Sequence, residues 1–158
     1  FLMTKPVTRT QVVTKKLLAA LTMVVLLNLV TLLATYLFLT YYADGPFLTD
    51  LLKLMAAMLA LQVLFGALGA FAAAVTGHYK RSSGAATGVL LLCYVLSIVV
   101  DIAENWEAVA YLTPFQYYDA KDLLVLGYNA IFPAITAVLV LLLLWGTYIC
   151  YRRRDLKV

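Results

Sequence analysis

The acidic residues with the greatest potential for chemistry are concentrated in residues 101–122, DIAENWEAVAYLTPFQYYDAKD. This segment holds five of the eight acids of the chain, namely Asp101, Glu104, Glu107, Asp119 and Asp122. Carboxylates in such a cluster are able to act as a general acid and base, or to relay protons within a membrane. However, the segment lies at the end of an apolar run and contains no His, Ser or Cys to complete a site. Spacing alone leaves a carboxylate pair open, but we predict no catalytic residue here.

Metal and nucleotide chemistry also lack the residues they need. The only histidine, His78, lies in a basic loop, and Cys93 and Cys150 fall in two different apolar runs. These three ligands are too few for a metal site, and we expect no disulfide between the cysteines. The phosphate-binding pattern GxxxxGKS/T is absent from the sequence. We therefore predict no catalytic, metal-binding or cofactor-binding residue in this chain.

The composition is that of a membrane protein. Hydrophobic residues make up 65% of the chain and charged residues 13%, with a mean hydropathy of +0.95. Soluble domains have about 45–50% apolar and about 25% charged residues. The net charge of +4 does not indicate a nucleic-acid partner, because the basic residues lie at the ends of apolar runs instead of along one polar face. The expected surroundings are a lipid bilayer.

Four apolar runs predict an all-α polytopic bundle with four transmembrane helices. Each has about the length that crosses 30 Å of hydrocarbon, although the third needs flanking residues. The spans cover residues 17–42, 51–76, 85–100 and 128–149. The small residues in the second half of span two predict that this helix packs centrally. Residues 77–84 read as a polar loop, and Pro133 predicts a kink in span four.

Polar positions within and between the spans suggest further roles. Asn28 and Gln62 lie inside spans, where such residues more often join helices than bind a substrate, so they are only candidates for lining a pathway. Residues 102–126 predict two short helices at the membrane surface. Apolar residues recur at helical spacing up to Pro114, and Asp119 has the position of an N-cap for the second helix.

The distribution of charge predicts an orientation. The transmembrane domain is predicted over residues 17–151. Its four spans place residues 1–16, the 77–84 loop and the basic tail 152–158 on one side of the membrane. That side carries ten of the twelve basic residues. The opposite side carries seven of the eight acids. Because basic residues favour the cytoplasmic side, we expect a multi-pass protein of a prokaryotic cell membrane with both termini in the cytoplasm.

Three short stretches resemble the ABC-2 type transporter permease family. Residues 1–9, FLMTKPVTR, followed by Lys16, resemble the family's FLLSKPVSR…K stretch, and residues 112–119, LTPFQYYD, resemble its LSPFKYFD segment. The tail YRRRDL at residues 151–156 resembles its F-x-R-R-D-L ending. Gln116 and Tyr118 depart from the pattern, since the family often has Lys and Phe there. Such permeases typically have six spans, so the chain resembles the last four, and we expect the protein to be longer at its N-terminus.

This resemblance implies a function as the permease subunit of an ATP-driven exporter. It implies a second permease subunit, identical or different, and a cytosolic ATP-binding cassette subunit that binds ATP and Mg. The residues that would contact this ATPase are Phe1, Leu2, Thr4, Lys5, Pro6 and Arg9. The residues that would form an outer gate are Trp106, Pro114, Phe115, Tyr117, Tyr118 and Asp119.

Two other functions remain open at this point. The same basic face would suit a membrane anchor or scaffold that recruits a cytosolic protein without transporting anything. An ion-coupled secondary transporter is less favoured, because no acidic or basic residue lies deep within a span, where a coupling site usually needs one. The sequence does not indicate the substrate.

Overall fold

The computed structural model of the chain describes residues 8–43, 45–103, 112–125, 127 and 129–153. It has four long helices, α1 (Arg9–Tyr42), α2 (Leu48–Thr76), α3 (Tyr79–Ile102) and α5 (Ile131–Arg153). Between α3 and α5 lie a 3₁₀ turn (Gln116–Tyr118) and the short helix α4 (Ala120–Val125). Each long helix has the length and apolar character needed to cross a membrane. The predicted all-α polytopic bundle is confirmed.

Helix α1 begins with a capping box at Thr8. The Thr8 hydroxyl accepts a hydrogen bond from the Gln11 backbone N–H at 3.4 Å, and the Gln11 side-chain oxygen accepts one from the Thr8 N–H at 3.2 Å. These bonds satisfy backbone donors that a helix start leaves free. The helix then continues for 34 residues, about 51 Å at about 1.5 Å per residue, which exceeds the hydrocarbon thickness.

The predicted loop over residues 77–84 is wrong, because only Gly77 and His78 separate α2 from α3. Gly77 ends α2 with a φ of 72°, and its N–H donates to the Ala73 carbonyl at 3.2 Å. Left-handed backbone of this kind favours glycine. The following polar residues form the first turns of α3, since its apolar run is too short to span hydrocarbon alone and a helix satisfies their backbone groups at the membrane surface.

The predicted kink at Pro133 is also wrong. Helix α5 begins at Ile131, whose N–H donates to the Asn129 side-chain oxygen at 3.2 Å, so Pro133 lies in the first turn. Backbone N–H groups in a first turn have no partner within the helix, and proline therefore costs no helical hydrogen bond there. Pro133 belongs to the start of the span instead of bending its interior.

Helix α2 is the centre of the bundle, as the small residues in its sequence predict. It packs against α1, α3, α4 and α5. It is packed closely against α5 at Gly146, where an added Cβ would lie 2.8 Å from Cε2 of Phe71. The Asn28 amide of α1 donates to the Met55 carbonyl of α2 at 3.3 Å. Small residues thus permit close helix packing, and one amide adds a polar contact.

The short connections make α1, α2 and α3 successively antiparallel, and the contact of Tyr148 with Thr14 places the end of α5 beside the start of α1. The bundle therefore has two ends of different charge. The basic end contains the start of α1, the α2–α3 connection and the last turns of α5. The described basic side chains there are Lys15, Lys16, Lys80, Arg81 and Arg152. The acidic end contains every described acid, namely Asp50, Asp101, Asp119 and Asp122, together with Lys53 and Lys121.

Candidate functional site

Residues 112–125, which we call the cover segment, lie across the acidic end of the bundle. Pro114, Phe115, Tyr117, Tyr118 and Asp119 belong to it, whereas Trp106, the other predicted gate residue, lies outside the described residues. The Asp119 carboxylate accepts hydrogen bonds from the backbone N–H groups of Lys121 at 2.7 Å and Asp122 at 3.3 Å. Asp119 thereby starts α4 as the N-cap that its sequence position predicts.

Two tyrosines attach the cover segment to α5. The Tyr117 ring stacks on Phe132, with ring centroids 5.1 Å apart and an interplanar angle of 8°. The Tyr118 hydroxyl donates to Oγ1 of Thr136 at 3.0 Å, and Thr136 donates to the Phe132 carbonyl at 2.9 Å. Both tyrosines are buried. Buried aromatic rings with a satisfied hydroxyl make this attachment specific as well as apolar.

The other side of the cover segment is attached to α2 and α3. The Phe115 ring lies 5.2 Å from that of Phe65 and 5.7 Å from that of Tyr94, measured between centroids. The Gln116 amide nitrogen donates to Oδ1 of Asp101 at 2.6 Å and lies 3.1 Å from the Ser97 carbonyl oxygen. A carboxylate acceptor strengthens such a bond. Gln116 therefore reaches an acid on α3 even though it lacks the positive charge that the family often has there.

Desolvation dominates the electrostatics at Tyr117. Burial raises the pKa of its phenol above the ordinary value of 10.0, and Cys93 raises it further. The group therefore stays protonated at neutral pH, and it acts through its ring and its neutral hydroxyl. A cavity of about 290 Å³ beside it is bordered by Gln116, Asp119, Asp122 and Asn129. This polar cavity separates part of the cover segment from the start of α5.

At the basic end, a hydrogen bond joins α1 to α5. The hydroxyl oxygens of Thr14 and Tyr148 are 2.8 Å apart. Because the Thr14 hydroxyl donates to the Thr10 carbonyl at 2.9 Å, Tyr148 is the donor to Thr14. The predicted ATPase-contact residues Phe1, Leu2, Thr4, Lys5 and Pro6 lie outside the described residues. Arg9 is the first residue of α1, and its side chain is also outside them.

The two polar residues within the spans have different environments. The Asn28 side chain is buried, and its amide is occupied by the contact with Met55. The side-chain oxygen of Gln62 is buried and has no hydrogen-bond partner among the described residues, and Gln62 borders a cavity between α1, α2 and α5. An unsatisfied buried acceptor costs free energy, so Gln62 is the stronger of the two candidates for lining a pathway.

Several hydroxyl residues at these contacts were not apparent from the sequence. Ser97 lies one helical turn before Asp101, which is the only local indication that the two share a face. Thr14 and Thr136 resemble the other threonines that bond to their own helix, such as Thr22 and Thr31. Their partners lie far away in the chain, so no spacing pattern identifies them.

The described architecture is that of a polytopic helical membrane protein whose acidic end is covered by the cover segment. The family model for ABC-2 family transporter proteins matches residues 1–156, and the chain belongs to that family. No curated protein and no solved structure matches it. The family prediction made from three short stretches is confirmed. The chain is thus a membrane permease component of an ABC transporter, a class that works with an ATP-binding subunit.

Proposed function

We propose that this chain is the permease subunit of an ATP-driven exporter. A separate cytosolic ATP-binding subunit binds ATP and Mg, and a second permease subunit, identical or different, completes the pathway. The observation that carries the proposal is the family match over residues 1–156. In this proposal the basic end faces the cytoplasm, in keeping with the preference of basic residues for that side.

The start of α1 has properties suited to receiving a push from the ATPase. Residues 1–9, including Pro6, would contact the ATP-binding subunit. The capping box at Thr8 begins a helix that continues without a break to Tyr42. Because no flexible linker separates Thr8 from the span, a displacement of the preceding segment would move α1 as a rod.

Contacts in the bundle offer a route from that rod to the opposite end. The Tyr148–Thr14 hydrogen bond joins α1 to the last turns of α5. The first turns of α5 hold the cover segment through Phe132 and Thr136. A change in the α1–α5 contact at the basic end would therefore alter the support of the cover segment, which would act as the outer gate.

The test is purification of the native full-length protein in mild detergent, with identification of co-purifying subunits and an assay of ATP hydrolysis. We expect a stoichiometric ATP-binding subunit with vanadate-sensitive turnover. A preparation with neither would overturn the proposal. Tyr148→Phe should retain the ATP-binding subunit but lower the permease-dependent ATPase stimulation. Tyr41→Phe, at an exposed tyrosine near the opposite end of α1, should leave the stimulation near wild type.

The alternative of a non-transporting anchor makes a different prediction for the segment before α1. Substitution of Pro6 or Arg9 in an anchor would abolish recruitment of the partner and nothing else. In a transporter, the same variants should insert normally and lose ATPase coupling. An ion-coupled transporter is less favoured, because the described acidic and basic side chains lie at the helix ends and not deep within the spans.

A further inference from the structure

A groove runs along the bundle between α1, α2 and α5, from the basic end toward the membrane centre. It consists of two adjoining cavities of about 450 Å³ and about 280 Å³. The two share Leu17, Ala20 and Gly66 as lining residues, so they adjoin and follow one another along α1 and α2. The larger cavity opens at the basic end, and the smaller one extends to Gln62 and Val140.

The groove is open space, not a tight helix contact. A Cβ added at Gly66 would have no described atom within 4 Å, in contrast to Gly146, where the Phe71 ring fills the interface. Its floor is formed by small residues of α2. Its walls are mainly aliphatic, with Thr14, Thr147 and Tyr148 as polar members. The residues of the walls and floor include Ala70, Ala73, Leu21, Val24 and Leu144. An apolar depression of this shape suits a hydrocarbon chain.

The mouth of the groove is polar and basic. Lys16 and Tyr151 border it from α1 and α5, and His78 borders it from the α2–α3 connection. The described acids all lie at the opposite end of the bundle. A negatively charged group at this mouth would therefore meet the Lys16 ammonium group and no described carboxylate, which gives the groove a charge preference.

The length of the groove matches one leaflet of a bilayer. From Tyr151 at its mouth to Val140 at its deep end, α5 advances by eleven residue steps, about 16 Å at about 1.5 Å per residue. Half of a hydrocarbon core of about 30 Å is about 15 Å. A lipid whose headgroup lies at the basic end would place an acyl chain along the whole groove.

We propose that this groove is a binding site for an anionic phospholipid. One acyl chain occupies the depression over Gly66, and the phosphate lies at the mouth beside Lys16, His78 and Tyr151. The apolar length explains why a lipid fits and free phosphate does not, and the basic mouth explains the preference for a negative headgroup. This site is independent of the direction of transport and of the identity of the substrate.

The charge preference is tested on the full-length protein by native mass spectrometry, with phosphatidylglycerol, phosphatidylcholine and inorganic phosphate as probes. We expect phosphatidylglycerol to be retained in preference to phosphatidylcholine, and inorganic phosphate not to displace it. Lys16→Gln should weaken retention by about five-fold, the effect of one basic residue near a membrane surface. Lys15→Gln is the matched control, because Lys15 borders neither cavity of the groove.

The fit of the acyl chain is tested by filling the groove. Gly66→Leu should abolish selective retention, whereas Gly88→Leu on α3, which also has nothing within 4 Å of an added Cβ, should retain it. Equal retention of the two lipids, equal effects of the two lysine variants, or displacement by inorganic phosphate would each overturn the proposal. So would a loss of dimerisation in Gly66→Leu with unchanged lipid retention, since a second copy would then occupy the groove.

Discussion

At the scale of single residues, Gln62 and Asn28 allow two amide side chains within the spans to be compared. The Gln62 oxygen is buried and has no hydrogen-bond partner in the described part of the chain. Gln62→Leu therefore removes a cost of about 1–3 kcal/mol and should raise the unfolding free energy. Asn28→Leu removes a hydrogen bond between helices and should lower it by about 0.6 kcal/mol. Unfolding of both variants in the same detergent measures the difference. A less stable Gln62→Leu protein would show that the amide has a stabilising partner.

Gln116 makes a second prediction at this scale, because it joins the cover segment to the acid on α3. Gln116→Leu removes the bond to Asp101 and leaves that carboxylate without its donor, so the cover segment should open more often. A hydrogen bond to a charged group contributes about 1.5–3 kcal/mol, which corresponds to at least about ten-fold faster amide exchange in residues 112–125.

The control for this experiment is Gln116→Lys. Lysine is the residue often found at this position in the family, and its ammonium group would pair with the Asp101 carboxylate instead of donating an amide N–H. Hydrogen exchange over residues 112–125 should therefore stay near wild type in this variant. Equal exchange in the leucine and lysine variants would show that the Asp101 contact does not hold the segment.

The sequence indicated which residues of the cover segment matter but not what they contact. Asp119 could be predicted as an N-cap, since a cap and its helix are adjacent in the chain. The partners of Tyr118 and Gln116 lie 18 and 19 residues away on other helices, at Thr136 and Ser97. Contacts of that kind depend on how helices pack, and neither hydropathy nor local spacing encodes them.

At the scale of elements, the contact between α2 and α5 at Gly146 tests how closely these two helices pack. Gly146→Ala would place its Cβ 2.8 Å from Phe71, so the ring must shift; overpacking of this kind costs about 1–3 kcal/mol. Phe71→Leu in the same chain should recover part of that loss. The comparison is made by thermal unfolding in detergent.

Gly88→Ala is the matched control on α3, because an added Cβ there meets nothing within 4 Å. Replacing a helical glycine with alanine at an open position gains about 0.5–1 kcal/mol through backbone entropy. The two substitutions should therefore shift the unfolding temperature in opposite directions. A stabilised Gly146→Ala protein would mean that α2 and α5 are not closely packed at this level.

The four long helices were predictable because hydrocarbon leaves the backbone no alternative partner. The residues at which the helices begin and end were harder to predict, as α3 illustrates. Its apolar run suggests a start near Ala85, yet the helix begins at Tyr79. Polar residues at the membrane surface are compatible with either loop or helix, so composition alone does not place the boundary. The same ambiguity allowed Pro133 to be read as a kink when it lies in a first turn.

At the scale of the whole molecule, the separation of charge between the two ends predicts how the protein lies in the membrane. Lys80 at the basic end and Lys121 at the acidic end are both exposed, so each offers an accessible position for a single cysteine. In a protein whose Cys93 and Cys150 are replaced by serine, Lys121→Cys should react with a membrane-impermeant maleimide in intact cells. Lys80→Cys should react only after permeabilisation.

The orientation in the membrane also decides which side carries the ATPase contact and which side carries the gate, because the two ends of the bundle have different proposed roles. With the basic end in the cytoplasm, the capped start of α1 lies where an ATP-binding subunit can reach it, and the cover segment lies on the far side, where an exported molecule leaves. Labelling of Lys80→Cys in intact cells would reverse both assignments. The cover segment would then face the cytoplasm, and α1 would have no ATP-binding subunit to move it. Labelling of Lys121→Cys alone places the gate and the energy source on opposite sides, as an exporter requires.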